Sequence, residues 1–208
     1  KGKGAGFLAE PQKLDQFLDQ IFSKLDMKIS IKTRIGTHYE EDWEYLLAIY
    51  EKYPIHELII HPRIQTDMYR GVPRLGAYEK AVNRLKMPLC YNGNLFSAAD
   101  YKRITERFPD TCCFMYGRGL ITNPGLVTEI REGIRQDKKT VREFHDCLFE
   151  EYRELLSGER NVLFRMKELW SYLAPMFTNS KKYAKKIKKA EKCVVYENAV
   201  RELFGCEQ

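Results

Sequence analysis

The 208-residue sequence lacks the long apolar runs, paired-cysteine spacings and nucleotide-loop signatures that assign many chains at sight. No window approaches the run of ~18 apolar residues that spans a bilayer. No secretory signal pattern is visible, and a cytoplasmic location is expected. The six cysteines are Cys90, Cys112, Cys113, Cys147, Cys193 and Cys206. No two stand in CxxC spacing, so a zinc ribbon or a thioredoxin-like motif has no support. Several lie in apolar runs, the setting of reduced, buried thiols in a reducing compartment. The opening Lys1-Gly2-Lys3-Gly4-Ala5-Gly6 has no Walker pattern and no preceding strand. It reads as a flexible turn, and with no Met it reads as a cut end.

What is present is the composition of a globular chain. Hydrophobic residues make up 44% and aromatics 12%, too many for a disordered segment. The formal net charge is +6, and its placement matters more than its size. Segment 181–192, KKYAKKIKKAEK, holds seven lysines and one glutamate, so it carries the whole surplus and the rest of the chain sums to zero. At 100° per residue, Tyr183, Ile187 and Ala190 fall on one narrow stripe, which Val194 continues. All seven lysines fall on the opposite side. Such a helix docks by its stripe and presents Lys181, Lys182, Lys185, Lys186, Lys188, Lys189 and Lys192 outward. Charge runs are usually solvated faces. The stripe is too thin for a membrane surface, while the charge concentration suits RNA phosphates.

Two periodicities divide the chain. Residues 11–25 place Leu14, Phe17, Leu18, Ile21, Phe22 and Leu25 at helical spacing, with Pro11 in the first turn. Strands are expected at about 27–35, 57–63, 88–92 and 112–117, and helices at 40–53, 77–86 and 97–108. Strands alternating with helices mean parallel βα units. Four such units are an open sheet or half of a (β/α)8 barrel, whose full length is typically ~250 residues. After Pro124 only helical spacing remains, over about 125–136, 140–157, 161–176, 181–192 and 194–204. Gly158 and Thr178-Asn179-Ser180 punctuate it. The expected boundaries are 1–126 for the barrel portion and 127–208 for a helical domain.

Polar residues gather at the four expected strand ends. These read Lys32-Thr33-Arg34, then His61-Pro62-Arg63, Asn92-Gly93-Asn94 and Gly117-Arg118-Gly119. Singly, an Asn-Gly step marks a turn and a strand-end histidine is structural. Four consecutive strand ends carrying such groups point to a ligand, because parallel α/β folds bind at the carboxyl ends of strands. Alternation sets Lys32 with Arg34 and His61 with Arg63 on common faces. The set suits an anionic, aromatic, hydrogen-bonding ligand such as a phosphorylated cofactor. The last two strand ends match the usual phosphate site of the barrel fold.

In this order, Lys-Gly-Lys-Gly-Ala-Gly, Ile31-Lys32-Thr33-Arg34-Ile35-Gly36, His61-Pro62-Arg63, Asn92-Gly93-Asn94 and Met115-Tyr116-Gly117-Arg118-Gly119, the chain resembles the tRNA-dihydrouridine synthases over essentially its whole length. Segment 165–173, RMKELWSYL, looks like their C-terminal helical domain. The resemblance implies the C-terminal half of an FMN-binding TIM barrel followed by a helical tRNA-binding domain. It implies that Lys32 and His61 lie by the flavin ring. Asn92, Gly93, Asn94, Gly117 and Arg118 would hold the phosphate end, and Arg34 and Arg63 would meet the target nucleotide. Arg165, Lys181, Lys182, Lys185, Lys186 and Lys189 would meet the tRNA. Asn94 stands where the family commonly has an acidic residue, and an amide keeps most of that hydrogen bonding.

The implied activity is reduction of uridine to 5,6-dihydrouridine, with flavin recharged by NADPH and a loop cysteine as proton donor. That cysteine is expected before Lys1, and none of the six present matches it. The chain alone is therefore expected to be inactive, and to associate with the missing half of the barrel or with itself. Two other readings stay open: a non-catalytic RNA-binding fragment, and an FMN-barrel oxidoreductase acting on a small molecule.

Overall fold

The computed structural model describes residues 2–178 and 180–205. Lys1 of the Gly-rich start, Asn179 of the expected helix-breaking cluster and Cys206 lie outside them. The chain divides into two compact units. One comprises residues up to Leu95 together with Lys102–Tyr116, and the other comprises Phe96–Tyr101 together with everything from Gly117 onward.

The first unit is an α/β layer structure. Four parallel strands, β1 (Ser30–Arg34), β2 (Glu57–His61), β3 (Leu89–Tyr91) and β4 (Cys113–Phe114), lie in the order 1-2-3-4. Each strand sits beside its predecessor, the progression of barrel-type sheets; doubly wound sheets reverse order at a switch point. The register sets Lys32 beside Ile59, Ile59 beside Cys90, and Cys90 beside Cys113, with Arg34 beside His61 one row higher. Helices α1 (Pro11–Lys24), α2 (Asp42–Tyr50), α3 (Leu75–Arg84) and α4 (Ala98–Arg107) alternate with the strands along the chain, the residues of α4 from Lys102 onward belonging to this unit.

Period two sorts the strand residues. Leu58, Ile60 and Tyr91 join Trp43, Leu46, Leu47, Tyr50, Tyr78 and Ala81 from the helices in one core. Thr33 reaches that core too, its hydroxyl 2.8 Å from the Tyr50 hydroxyl, so a buried polar atom is satisfied. The alternate residues, Lys32, Arg34, Ile59, His61, Cys90 and Cys113, line the other face. The turn after β1 needs Gly36: its φ is +152° and a Cβ there would meet the Tyr39 carbonyl oxygen at 2.5 Å.

Among the described residues the second unit is helical from Arg118 onward. It holds α5 (Arg118–Thr122), α6 (Leu126–Glu132), α7 (Lys138–Leu155), α8 (Glu159–Leu173), α9 (Ser180–Lys189) and α10 (Cys193–Gly205). Asp137 caps α7 by accepting from the Thr140 N–H at 2.8 Å. A core of Val141, Phe149, Val162, Leu163, Met166, Trp170, Leu173, Ile187, Tyr196 and Val200 holds the unit together. At its centre the Tyr196 hydroxyl lies 2.6 Å from His145 Nε2 and accepts from Trp170 Nε1 at 2.7 Å. Burial, more than any partner, pushes the His145 pKa below its ordinary value.

Local differences from the periodicity have local causes. The Gly-rich start forms a 3-10 helix over Gly4–Ala9, because Leu8 finds a buried position and Phe7 packs edge-on against Phe17. The fourth strand keeps only Cys113–Phe114, and a short helix starts directly at Arg118. The lysine-rich helix ends at Lys189 instead of running to 192. A new helix begins at Cys193, so the buried stripe passes from Ala190 to Cys193 and leaves Val194 64% exposed. No helix among the described residues is long and apolar enough to cross a membrane.

Candidate functional site

The strand ends of the first unit bring together Lys32, Arg34, His61, Arg63, Asn92 and Asn94. Register and pleat decide this: Arg34 and His61 are paired neighbours on the face turned away from the helices. Partial desolvation, and then repulsion from Arg34, lower the pKa of the Lys32 ammonium. A cavity of about 300 Å3 opens beside β1, lined by Gly4, Ala5, Phe7, Ile31, Lys32, Arg34 and Tyr50 among others.

Several of these polar groups are committed within the unit. Arg34 donates through Nη1 to the Ile64 carbonyl at 2.8 Å and the Gln65 carbonyl at 3.2 Å, and through Nη2 to the Met68 carbonyl at 3.0 Å. Arg63 is fully buried and donates to the Arg70 carbonyl, to the Gly71 carbonyl at 2.8 Å and to Asn94 Oδ1 at 3.2 Å. Asn92 Nδ2 donates to the Met115 carbonyl at 2.7 Å. The two arginines therefore pin the segment 64–71 after β2. Arg74 anchors its far end through Asp67 and, at 3.0 Å, Glu40.

Pinning that segment presents a residue that periodicity did not single out. Tyr69 is 59% exposed, with its ring centroid 5.8 Å from the Arg34 guanidinium carbon and 6.2 Å from the His61 ring. Its only sequence signal is an aromatic residue in a loop following a strand-end His-Pro-Arg. Asn94 adopts φ +44°, a left-handed conformation that asparagine tolerates better than most residues. Gly93 has an internal reason to be glycine, since a Cβ there would sit 3.0 Å from Pro73 Cγ.

Gly117 and Arg118 belong to the second unit. A Cβ on Gly117 would meet nothing within 4 Å, and the Arg118 guanidinium carbon lies 5.4 Å from the Phe96 ring centre. The cations and imidazole of the strand ends fit an anionic, hydrogen-bonding aromatic ligand. The open space at Gly117 fits close approach of a phosphate. By their donor chemistry the strand-end residues of the first unit fit the FMN that the resemblance implies.

Burial pushes the Cys90, Cys113 and Cys193 thiols up, keeping them protonated. Cys90 and Cys193 are buried, as expected for structural thiols, whereas Cys112 and Cys147 are exposed.

The second candidate surface is the basic helix. Tyr183, Ile187 and Ala190 are buried, while Lys181, Lys182, Lys185, Lys186, Lys188 and Lys189 are exposed. Lys186 pairs with Glu202 of α10, which holds part of its charge at home. On α8, Arg165 is exposed and lies 3.4 Å from Glu168. Leu163, Met166, Leu169, Trp170 and Leu173 are buried, as their spacing predicts. Phe164 is the exception at 67% exposed. It stands between two surface grooves that share Lys167, one adding Arg160 and the other Lys188. Its signal in the sequence was a phenylalanine one step off the apolar stripe.

A family model described as dihydrouridine synthase (Dus) matches residues 1–204. The tRNA-dihydrouridine synthase B of Pasteurella multocida is 26% identical over 140 residues, covering 66% of this chain and 41% of that protein. The enzyme of the same name from Vibrio vulnificus is 24% identical over 128 residues, covering 61% of this chain and 39% of that protein. A probable tRNA-dihydrouridine synthase 1 from Synechocystis sp. is 26% identical over 183 residues, covering 83% of this chain and 50% of that protein. The chain thus spans half or less of the length of these curated relatives.

Proposed function

The chain belongs to the dihydrouridine synthase family, and on that premise we propose that it serves the flavin-dependent reduction of uridine to 5,6-dihydrouridine in tRNA, in the cytoplasm. The observation that carries this reading is the coincidence of the family match over 1–204 with Lys32, Arg34 and His61 on one face of adjacent strand ends. FMN is the proposed cofactor and NADPH the proposed reductant. When bound, the flavin supplies the hydride for the uracil ring.

The residues of this chain bind and orient. Lys32 and His61 are the proposed donors to the ring system. The lowered pKa of Lys32 makes its ammonium a readier proton donor in a hydrogen bond. Asn92, Gly93 and Asn94, and separately Gly117 and Arg118, are the proposed phosphate-end groups. Arg34 and Arg63 act first on their own loop, ordering 64–71 and holding Tyr69 over the strand ends. Any direct contact of Arg63 with a nucleotide requires that loop to open. Arg165 and the lysines of α9 are the proposed contacts to tRNA phosphates. No cysteine here is assigned as the proton donor.

The sheet is proposed to be one arc of a TIM barrel and the helical unit a tRNA-binding domain. Among the described residues β1 and β4 are edges, and Leu25 and Met27, just before β1 in the chain, are exposed apolar groups. Such edges call for further strands, from another segment of the protein or from a second copy.

The test is flavin and tRNA binding by the full 208-residue chain, followed by nucleoside mass analysis for uridine that has gained two hydrogens. Binding of both supports the proposal, and Lys32→Ala should weaken the flavin alone. Binding of tRNA with no flavin makes the chain a non-catalytic RNA-binding protein. Binding of flavin with no tRNA makes it a small-molecule oxidoreductase.

A further inference from the structure

We propose that Glu57, Cys90 and Cys113 form a binding site for one thiophilic divalent cation, with zinc as the occupant. The three residues sit on three consecutive parallel strands. Cys90 is the register partner of Cys113 on one side and of Ile59 on the other. Glu57 lies two residues before Ile59, so the pleat turns all three side chains to the same face. Their ligand atoms all lie within 4.8 Å of one another. A tetrahedral zinc, with Zn–S near 2.3 Å and Zn–O near 2.1 Å, holds its ligands about 3.5–3.8 Å apart. Small side-chain rotations on a fixed sheet close that gap.

The chemistry selects the metal. Two sulfurs and one carboxylate favour zinc over magnesium or calcium, which take oxygen ligands. Three protein ligands leave a fourth position for water. Charge balance also suits the exchange. One Zn2+ replaces two thiol protons, so the net charge of the cluster stays that of a single carboxylate. Lys32, in the same row on β1, supplies the opposite charge from across the sheet. Cys90 and Cys113 stand in the row of Lys32 and one row below Arg34 and His61, and Glu57 stands one row lower still, towards the amino ends of the strands. In barrel-type folds that side serves stability. A cation there would tie β2, β3 and β4 together.

The experiment uses the reduced, full 208-residue chain and zinc chloride alone. After dialysis against buffered zinc, one equivalent per chain is expected. Zinc at 100 times its Kd should raise the melting temperature by about 5–10 °C. Cadmium in its place should give thiolate-to-metal charge-transfer absorption. Cys113→Ser, at a half-buried position, should weaken zinc binding by at least about 100-fold, and Glu57→Gln by about 10-fold. Cys112→Ser, next in sequence but exposed, should change nothing. Circular dichroism of each metal-free variant separates lost binding from lost folding. No zinc uptake, equal uptake by Cys113→Ser, or a chain that loses two hydrogens as a Cys90–Cys113 disulfide and excludes zinc would each overturn the proposal. None of these outcomes depends on flavin or tRNA.

Discussion

The two units hold their positive charge in opposite ways. In the sheet unit, Arg34 and Arg63 turn inward and satisfy carbonyls of a single loop, five of the six contacts being to backbone oxygen. In the helical unit, the lysines of α9 project outward from a helix anchored by buried Tyr183 and Ile187, with Ala190 just past its end. An inward guanidinium builds shape, because its donors replace water for acceptors that would otherwise be buried unpaired. An outward ammonium builds a field, which acts on whatever anion approaches and fades with salt. The same formal charge is architecture in one unit and a binding surface in the other.

The sharpest way to break that comparison is Arg63→Ala. It should cost the sheet unit about 3 kcal/mol, because buried carbonyls lose their donor, as read by urea denaturation. Arg63→Lys should recover little, since an ammonium cannot span the Arg70, Gly71 and Asn94 acceptors together. An exposed-residue cost of a few tenths of a kcal/mol would show that Arg63 is not architectural.

Next in size is charge reversal of Lys182, Lys185 and Lys189 together. At about 0.1 M salt, tRNA affinity should fall about 100-fold, and the slope of log K against log salt should flatten by about 2–3. Helicity should persist, since Tyr183, Ile187 and Ala190 are untouched. An unchanged slope would remove α9 from the RNA interface.

Tyr196→Phe tests whether the helical unit also has an architectural polar centre. It takes away the partner of both His145 and Trp170 and should destabilise the unit by about 2 kcal/mol. The pH dependence follows from the same network. His145 is held below its usual 6.5 in the fold, so between that lower value and 6.5 the unfolded chain binds the extra proton. The contribution is complete above about pH 6.5 and declines as the pH falls through that window. Melting curves between pH 7.5 and 5.5 should show the loss, and His145→Gln should reduce it. The smallest effect is expected from Glu202→Gln. Freeing Lys186 from an exposed pair should strengthen tRNA binding by no more than about twofold.

Much of the architecture was legible in the residues. Helix α1, the four strands and the stripe of α9 follow from spacing, because burial of one face imposes a period that the sequence must carry. The strand-end cluster was legible for the same reason: alternation predicts which side chains share a face. Occupancy of those side chains was not. Nothing in Arg34 or Arg63 says whether the guanidinium meets a ligand or a carbonyl, since both are planar acceptors at hydrogen-bond range. Tyr69 and Phe164 were missed because an exposed aromatic breaks a pattern without announcing why. The end of α9 at Lys189 was missed because Ala190-Glu191-Lys192 has good helix propensity, and packing of Cys193 overrode it.

Order along the chain determined the α/β alternation, the turn to all-helical structure, the confinement of the net charge to residues 181–192 and the family to which the chain belongs. Those are properties of period and composition, which need no partner across space. Tertiary structure decided that two arginines are spent on one loop, that Glu57, Cys90 and Cys113 converge, and that His145, Trp170 and Tyr196 share one hydroxyl. Register and packing join residues tens of positions apart, and hydrogen bonds and metal coordination act over a few ångströms of space, whatever the distance along the chain.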